Sequence, residues 1–179
     1  APRLFVALLP TAPAREAITG LLDGLDGVRW TQPEQLHLTL RFIGPVDESA
    51  RDLIESALGL VAVRRFFLDL EGVRGFPPRG TPSILWAGVG RGHPLLHQLR
   101  QQVDDRLLTT TTPIALRPFE PHLTLARVRG TPPVAVTHWL KRHREFTGPT
   151  WPVDAFHLMA SEPRPGGAAY RVLRSYPLG

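Results

Sequence analysis

The chain has 179 residues, enough for one medium domain or two small lobes sharing an interface, and 42% of them are hydrophobic, so it can build a core and is not disordered. It has no cysteine, which excludes disulfides, thiolate catalysis, zinc fingers and iron–sulfur clusters together. A net charge of +5 and an isoelectric point near 10.9 fit an anionic partner such as nucleic acid. They fit a GC-rich codon bias equally well, because the basic residues are almost all arginine and Lys141 is the only lysine.

In chain order, Arg3 to Leu9 alternates as a first strand. Its short apolar run carries no basic flank or cleavage site, so it is expected to be a strand and not a signal peptide, and the expected location is cytoplasmic. No apolar run approaches the roughly 18 residues needed to cross a bilayer, so no membrane role is expected. Thr11 and Pro13 start a helix to about Leu25. Leu36 to Ile43 reads as a strand ending at Gly44-Pro45, and Asp47 caps a helix to about Leu58. Phe66–Val73 and Ser83–Val89 are two more strands, joined by a turn-rich loop around Pro77. Pro94 opens a helix with Leu95, Leu96, Leu99, Val103 and Leu107 on helical spacing. A strand at His122–Val128, a helix at about Val134–Glu145, and strands at Val153–Ala160 and Ala168–Ser175 complete the chain. Alternating strands and helices without a flexible linker predict one mixed α and β domain.

The word His-Leu-Thr-Leu occurs twice, as His37-Leu38-Thr39-Leu40 and His122-Leu123-Thr124-Leu125. For this composition a second chance copy has odds of about one in a hundred. Pro33 and Pro118 each lie four residues ahead of their histidine, so each word should begin just inside a strand. Strict alternation puts His37, Thr39 and Arg41 on one face and Leu36, Leu38, Leu40 and Phe42 on the other. His122 and Thr124 part from Leu123 and Leu125 in the same way. Two such strands facing one cleft supply an acid, a base and two hydroxyl donors, the set that in-line displacement at phosphorus uses. The bland alternative is a pair of core strands whose histidines satisfy backbone groups. The matched threonines and prolines count against it.

Arg3–Pro10, then Trp30-x-x-Pro33-x-x-Leu36 to Gly44, then Phe119-x-Pro121 to Arg127 resemble the two-histidine phosphoesterase superfamily. Within it, they are similar to the RNA 2′,3′-cyclic phosphodiesterases, also called 2′-5′ RNA ligases. Phe156–Ser161 and Tyr170–Leu173 look like that family's last two strands. The resemblance implies an α+β fold, residues 1–179 forming a single bilobal catalytic domain. Two pseudo-twofold-related lobes, each with an antiparallel sheet and outer helices, flank a central cleft that carries the His-x-Thr-x motifs.

The implied reaction opens an RNA-terminal 2′,3′-cyclic phosphate to a 2′-phosphate. Members also join such ends to a 5′-hydroxyl through a 2′-5′ bond without ATP. The resemblance makes His122 the general base and His37 the general acid, with Thr39, Thr124 and Arg127 on the phosphate. It implies no metal and no cofactor. The expected partners are RNA ends or small cyclic nucleotides bearing a 2′,3′-cyclic phosphate, taken by a monomer. Strict alternation aims Arg127 at the leucine side, so a bulge or strand end must turn it. The alternatives are a catalytically idle RNA-end binder of the same fold and a metal-dependent phosphodiesterase. Asp104-Asp105 stands without the further ligands the latter needs.

Three weaker signals remain. His93 and His97 have the i, i+4 spacing of metal ligands but lack the glutamate of a zincin, and are read as ordinary helix residues. Trp139–Arg144 is basic with an aromatic, fitting either an RNA-tracking face or a solvated helix. Trp30 is a better base-stacking candidate than Phe5 or Phe42, with packing as its default.

Overall fold

The computed structural model describes residues 1–179 and contains four α-helices and ten strands. The first sheet holds β1 (Arg3–Leu8), β3 (Leu38–Pro45), β9 (Ala155–Arg164) and β10 (Gly167–Pro177), in the order β10-β9-β1-β3. The second holds β2 (Val28–Trp30), β5 (Leu70–Phe76), β6 (Ile84–Val89) and β7 (His122–Val128), in the order β2-β7-β6-β5. Both are antiparallel throughout. A small ladder pairs β4 (Phe66–Leu68) with β8 (Trp151–Val153).

The helices are α1 (Ala12–Thr19), α2 (Glu48–Leu58), α3 (Pro94–Leu107) and α4 (Pro133–His143). Local chemistry sets where they start. The Asp47 carboxylate accepts from the Ala50 N–H, and His93 Nδ1 accepts from the Leu95 N–H beside Pro94. Leu96, Leu99, Val103 and Leu107 form the fully buried stripe of α3. One contiguous core of 35 buried residues draws on both large sheets and all four helices. No helix is long and apolar enough to cross a membrane.

The two sheets repeat one ladder. In the first, Leu8, Ala7 and Val6 stand opposite Leu38, Thr39 and Arg41. In the second, Ala87, Trp86 and Leu85 stand opposite Leu123, Thr124 and Ala126. Each contains a bulge at the same place, with Leu40 extra in β3 and Leu125 extra in β7. The strands β3-β1-β9 thus correspond to β7-β6-β5, and β3 lies against β7. Only the fourth strand differs: β10 extends the first sheet beyond β9, whereas β2 flanks β7 in the second. The expected α+β architecture, with paired antiparallel sheets, is the observed one.

The bulge at Leu40 corrects the alternation beyond Thr39. Arg41 turns to the buried face, 6% exposed, where Nε and Nη2 each donate to Asp104 over 2.7 Å and Nη1 donates to the Ala115 carbonyl. Phe42 turns to the histidine side and is 56% exposed, not packed among the leucines. The first helix ends at Thr19, short of Leu25, and 66–76 is two strands, not one. The short strands β2 and β8 were not expected; three residues carry no readable period.

Candidate active site

Pro33 opens a 3₁₀ turn, Pro33–Gln35, closed by reciprocal Gln32 and Gln35 contacts. It delivers Leu36 to the core and His37 to the residue just ahead of β3. His122 is the first residue of β7. Both imidazoles are held in the same way. His37 Nδ1 lies 2.7 Å from the Gln35 carbonyl oxygen and His122 Nδ1 lies 2.6 Å from that of Glu120, each two residues upstream. A carbonyl oxygen only accepts, so Nδ1–H is the donor and Nε2 is the free atom in both rings. Aromatic rings fix the planes: His37 packs against Phe5 and Tyr170 at 5.1 and 5.2 Å, and His122 against Trp86 at 5.8 Å.

A cleft of about 410 Å³ is lined by His37, Thr39, Thr124 and Arg127. His122 is not among the lining residues; it lies two residues before Thr124 on β7 and close enough to His37 to act on its charge. Burial lowers the His37 pKa below the ordinary imidazole value. The bond to the Gln35 carbonyl works in the opposite sense, and the His122 charge lowers it further. The bulge at Leu125 is what brings Arg127 to the threonine side. Without that extra residue the guanidinium would point into the core.

Arg29 and Arg129 also line the cleft. Arg29 stands directly opposite Arg127 on the β2–β7 ladder. None of the three arginines has a carboxylate within ion-pairing distance. Like charges directly across a ladder repel, and an anion in the cleft relieves that repulsion. Two imidazoles with free Nε2, two hydroxyls and uncompensated guanidiniums are the groups that can hold a phosphoryl group and move protons at it.

Arg29, Arg129, Gln35 and Tyr170 were not foreseen as cleft residues. Arg29 sits on the unread β2, and the β9–β10 hairpin that carries Tyr170 comes to the cleft only by tertiary packing. Trp30 both lines the cleft and packs on Trp139, with ring centroids 5.7 Å apart. Phe5 is buried beneath His37. His97 Nε2 donates to the Arg91 carbonyl while His93 caps α3, so both serve the helix as expected. In the basic segment Trp139 is buried and donates to the Asp23 carbonyl. Lys141 and Arg142 border a surface hollow with His138 that shares no lining residue with the cleft.

Residues 10–164 match the family model of the 2′-5′ RNA ligase superfamily. The chain belongs to that superfamily. Among its members, an RNA 2′,3′-cyclic phosphodiesterase of Archaeoglobus fulgidus is 33% identical, over 97% of this chain and 99% of that protein. One from Thermus thermophilus is 32% identical, over 98% and 90%. A solved Thermus thermophilus structure superposes with a TM-score of 0.76 at 31% identity, over 98% of this chain and 97% of that one. The structure of E. coli LigT complexed with 3′-AMP superposes at 0.80 with 25% identity, over 99% of both. As a 2′-5′ RNA ligase superfamily chain, this protein has one His-x-Thr-x word running into the start of β3 and the other at the start of β7, the two strands that carry the matched bulges.

Proposed function

We propose that this protein hydrolyses an RNA-terminal 2′,3′-cyclic phosphate to a 2′-phosphate, residues 1–179 acting as one bilobal catalytic domain. The observation that carries the reading is the matched pair of imidazoles, each with Nδ1 locked on a carbonyl two residues upstream and Nε2 free, set by strands with equivalent bulges. In the step, water forms a bond to phosphorus as the P–O3′ bond breaks. His122 Nε2 takes the water proton, and His37 Nε2–H gives its proton to the departing O3′. Thr39, Thr124 and Arg127 hold the non-bridging oxygens, where charge grows in the transition state. When a 5′-hydroxyl replaces water, the same bonds change and the product is a 2′-5′ linkage, with no ATP in the balance. The substrates are RNA ends or small cyclic nucleotides, and the proton work draws on no cofactor or metal. The protein acts as a monomer in the cytoplasm.

Burial, and after it the His122 charge, lower the His37 pKa in the free protein. The negative charge of the substrate phosphate raises it on binding. That lowering is the property a base needs and favours the exchanged assignment, with His37 as base. The test of the reaction is end-group analysis of an oligonucleotide bearing a 2′,3′-cyclic phosphate, with and without a chelator. A 2′-phosphate product in both arms is expected. A 3′-phosphate product, an untouched end, or activity lost to chelation and restored by added metal would each overturn the reading. An untouched end that still binds would support the idle binder.

A further inference from the structure

A second cavity of about 390 Å³ adjoins the cleft and shares Arg29, Gly167 and Ala168 with it. It adds Arg3, Ser161 and Arg164. These residues come from distant parts of the chain: Arg3 begins β1, Arg29 is the middle of β2, and Arg164 ends β9. Arg3 stands opposite Ser161 on the β1–β9 ladder, so both project to one side. The β9–β10 turn brings them together with Arg29. Its Gly166 and Gly167 have φ of +83° and +138°, and a Cβ on Gly167 would lie 2.6 Å from Arg29 Nη2. Glycine suits that backbone, and a side chain at Gly167 would displace the Arg29 guanidinium tip.

The cavity is more cationic than its few acids balance. Arg3 and Arg29 have no carboxylate partner, and Glu162 is divided between Arg164 at 3.3 Å and Arg171 at 3.6 Å. No aromatic ring lines it, so it offers a base nothing to stack on. What it offers is guanidinium forks, which fit phosphate oxygens and read no sequence. Arg29 faces both cavities and ties them into one track.

We propose that the Arg3–Arg29–Arg164 pocket binds the phosphodiester joining the terminal ribonucleotide to its 5′ neighbour. This rests on the reading of the cleft as the cyclic-phosphate site. A terminal nucleotide whose 3′ end is held there carries one other phosphate, on its 5′ carbon, and the shared Arg29 wall leads from one cavity to the next. The protein is thereby a better enzyme on oligonucleotide ends than on cyclic mononucleotides.

The experiment compares kcat/KM on a nucleoside 2′,3′-cyclic phosphate, on a dinucleotide with the same end, and on that dinucleotide with an uncharged methylphosphonate linkage. The dinucleotide should be favoured about tenfold, the scale of one exposed charge-assisted contact, and the methylphosphonate should lose the advantage. Arg3→Gln and Arg164→Gln should slow the dinucleotide while leaving the mononucleotide unchanged. They should also flatten the salt dependence of the dinucleotide rate, by a log–log slope of about 0.7 per contact removed. Equal rates on mono- and dinucleotide, or variants that slow both alike, would overturn the proposal. So would variants that slow only joining to a 5′-hydroxyl strand, which would assign the phosphate to that strand. Binding of a 2′-phosphorylated dinucleotide against a nucleoside 2′-phosphate, read by tryptophan fluorescence, separates this from the parent reading. An arginine-dependent affinity difference without any turnover would remove the reaction and leave the pocket standing.

Discussion

His37 and His122 each have one ring nitrogen bound to a backbone carbonyl and the other free, and the chemistry depends on that asymmetry. Replacing either by alanine should lower kcat/KM by about 10²–10⁴, and the double variant should be little worse than the worse single one. Steady-state kinetics with a cyclic-phosphate substrate checks this; losses that multiply would mean the rings do not share one transition state. Neither ring belongs to the hydrophobic core, so melting temperatures should stay close to the parent. The kcat/KM profile should be bell-shaped and belong to the coupled pair, with one limb below the ordinary imidazole value because His37 is depressed. The His122→Ala variant should lose the acidic limb. If it loses the alkaline limb instead, the roles of base and acid are exchanged. Arg127→Ala should cost about 10–100-fold in kcat/KM, with Arg127→Lys recovering only part, since an ammonium lacks the planar fork.

At the scale of the element, the paired bulges decide which side chains meet the substrate. Position five after the histidine becomes cleft-side on both strands, Arg127 on β7 and the exposed Phe42 on β3. Position four turns inward on both, Ala126 in one sheet and Arg41 in the other. The buried Arg41 joins β3 to α3 through Asp104, and through the Ala115 carbonyl it holds the irregular segment that leads to His122. Arg100 reaches the same carboxylate at 3.5 Å and lies over the Phe119 ring. Asp104→Ala strands the Arg41 charge in the core and should destabilise by about 3–5 kcal/mol in denaturant unfolding. The double variant Arg41→Met/Asp104→Leu should recover much of that loss, because the buried Arg41 charge is removed together with its partner, and only Arg100, at the edge of the pair, loses its carboxylate. A double variant no more stable than Asp104→Ala would show that the pair acts by positioning the segment, not by charge balance.

For the whole molecule, one core runs through both sheets, so the two halves should unfold together in a single transition. Its pH dependence follows from the histidines. His37, His143 and His157 all have pKa values lowered by burial. The folded state therefore binds fewer protons than the unfolded one, whose imidazoles titrate near pH 6.5. The stabilisation is fully present above about pH 6.5 and is lost as the pH falls through that value towards the folded pKa values. Melting temperature should drop between about pH 7.5 and 5, and His37→Gln should flatten part of the slope. A melting temperature that rises on acidification in this window would contradict the burial of these rings.

The sequence by itself determined the family, the α+β class, most element positions and five residues at or beside the site. Periodicity and caps act over a few residues, so β1, α2, α3 and β7 were readable locally, and a repeated His-x-Thr-x word marks its own strands. Alternation held as far as Leu40 and Leu125 and failed one residue later. A bulge is set by two strands pairing out of step, and neither strand's sequence announces the extra residue. Only the tertiary structure therefore buried Arg41, exposed Phe42 and turned Arg127 into the cleft. It alone brought Tyr170 from the last hairpin to the cleft, and Arg29 from a three-residue strand and Arg3 from the first strand to one cationic track. Those two arginines lie far apart in the chain, and their common property, an unpaired positive charge facing one hollow, exists only once the sheets have packed.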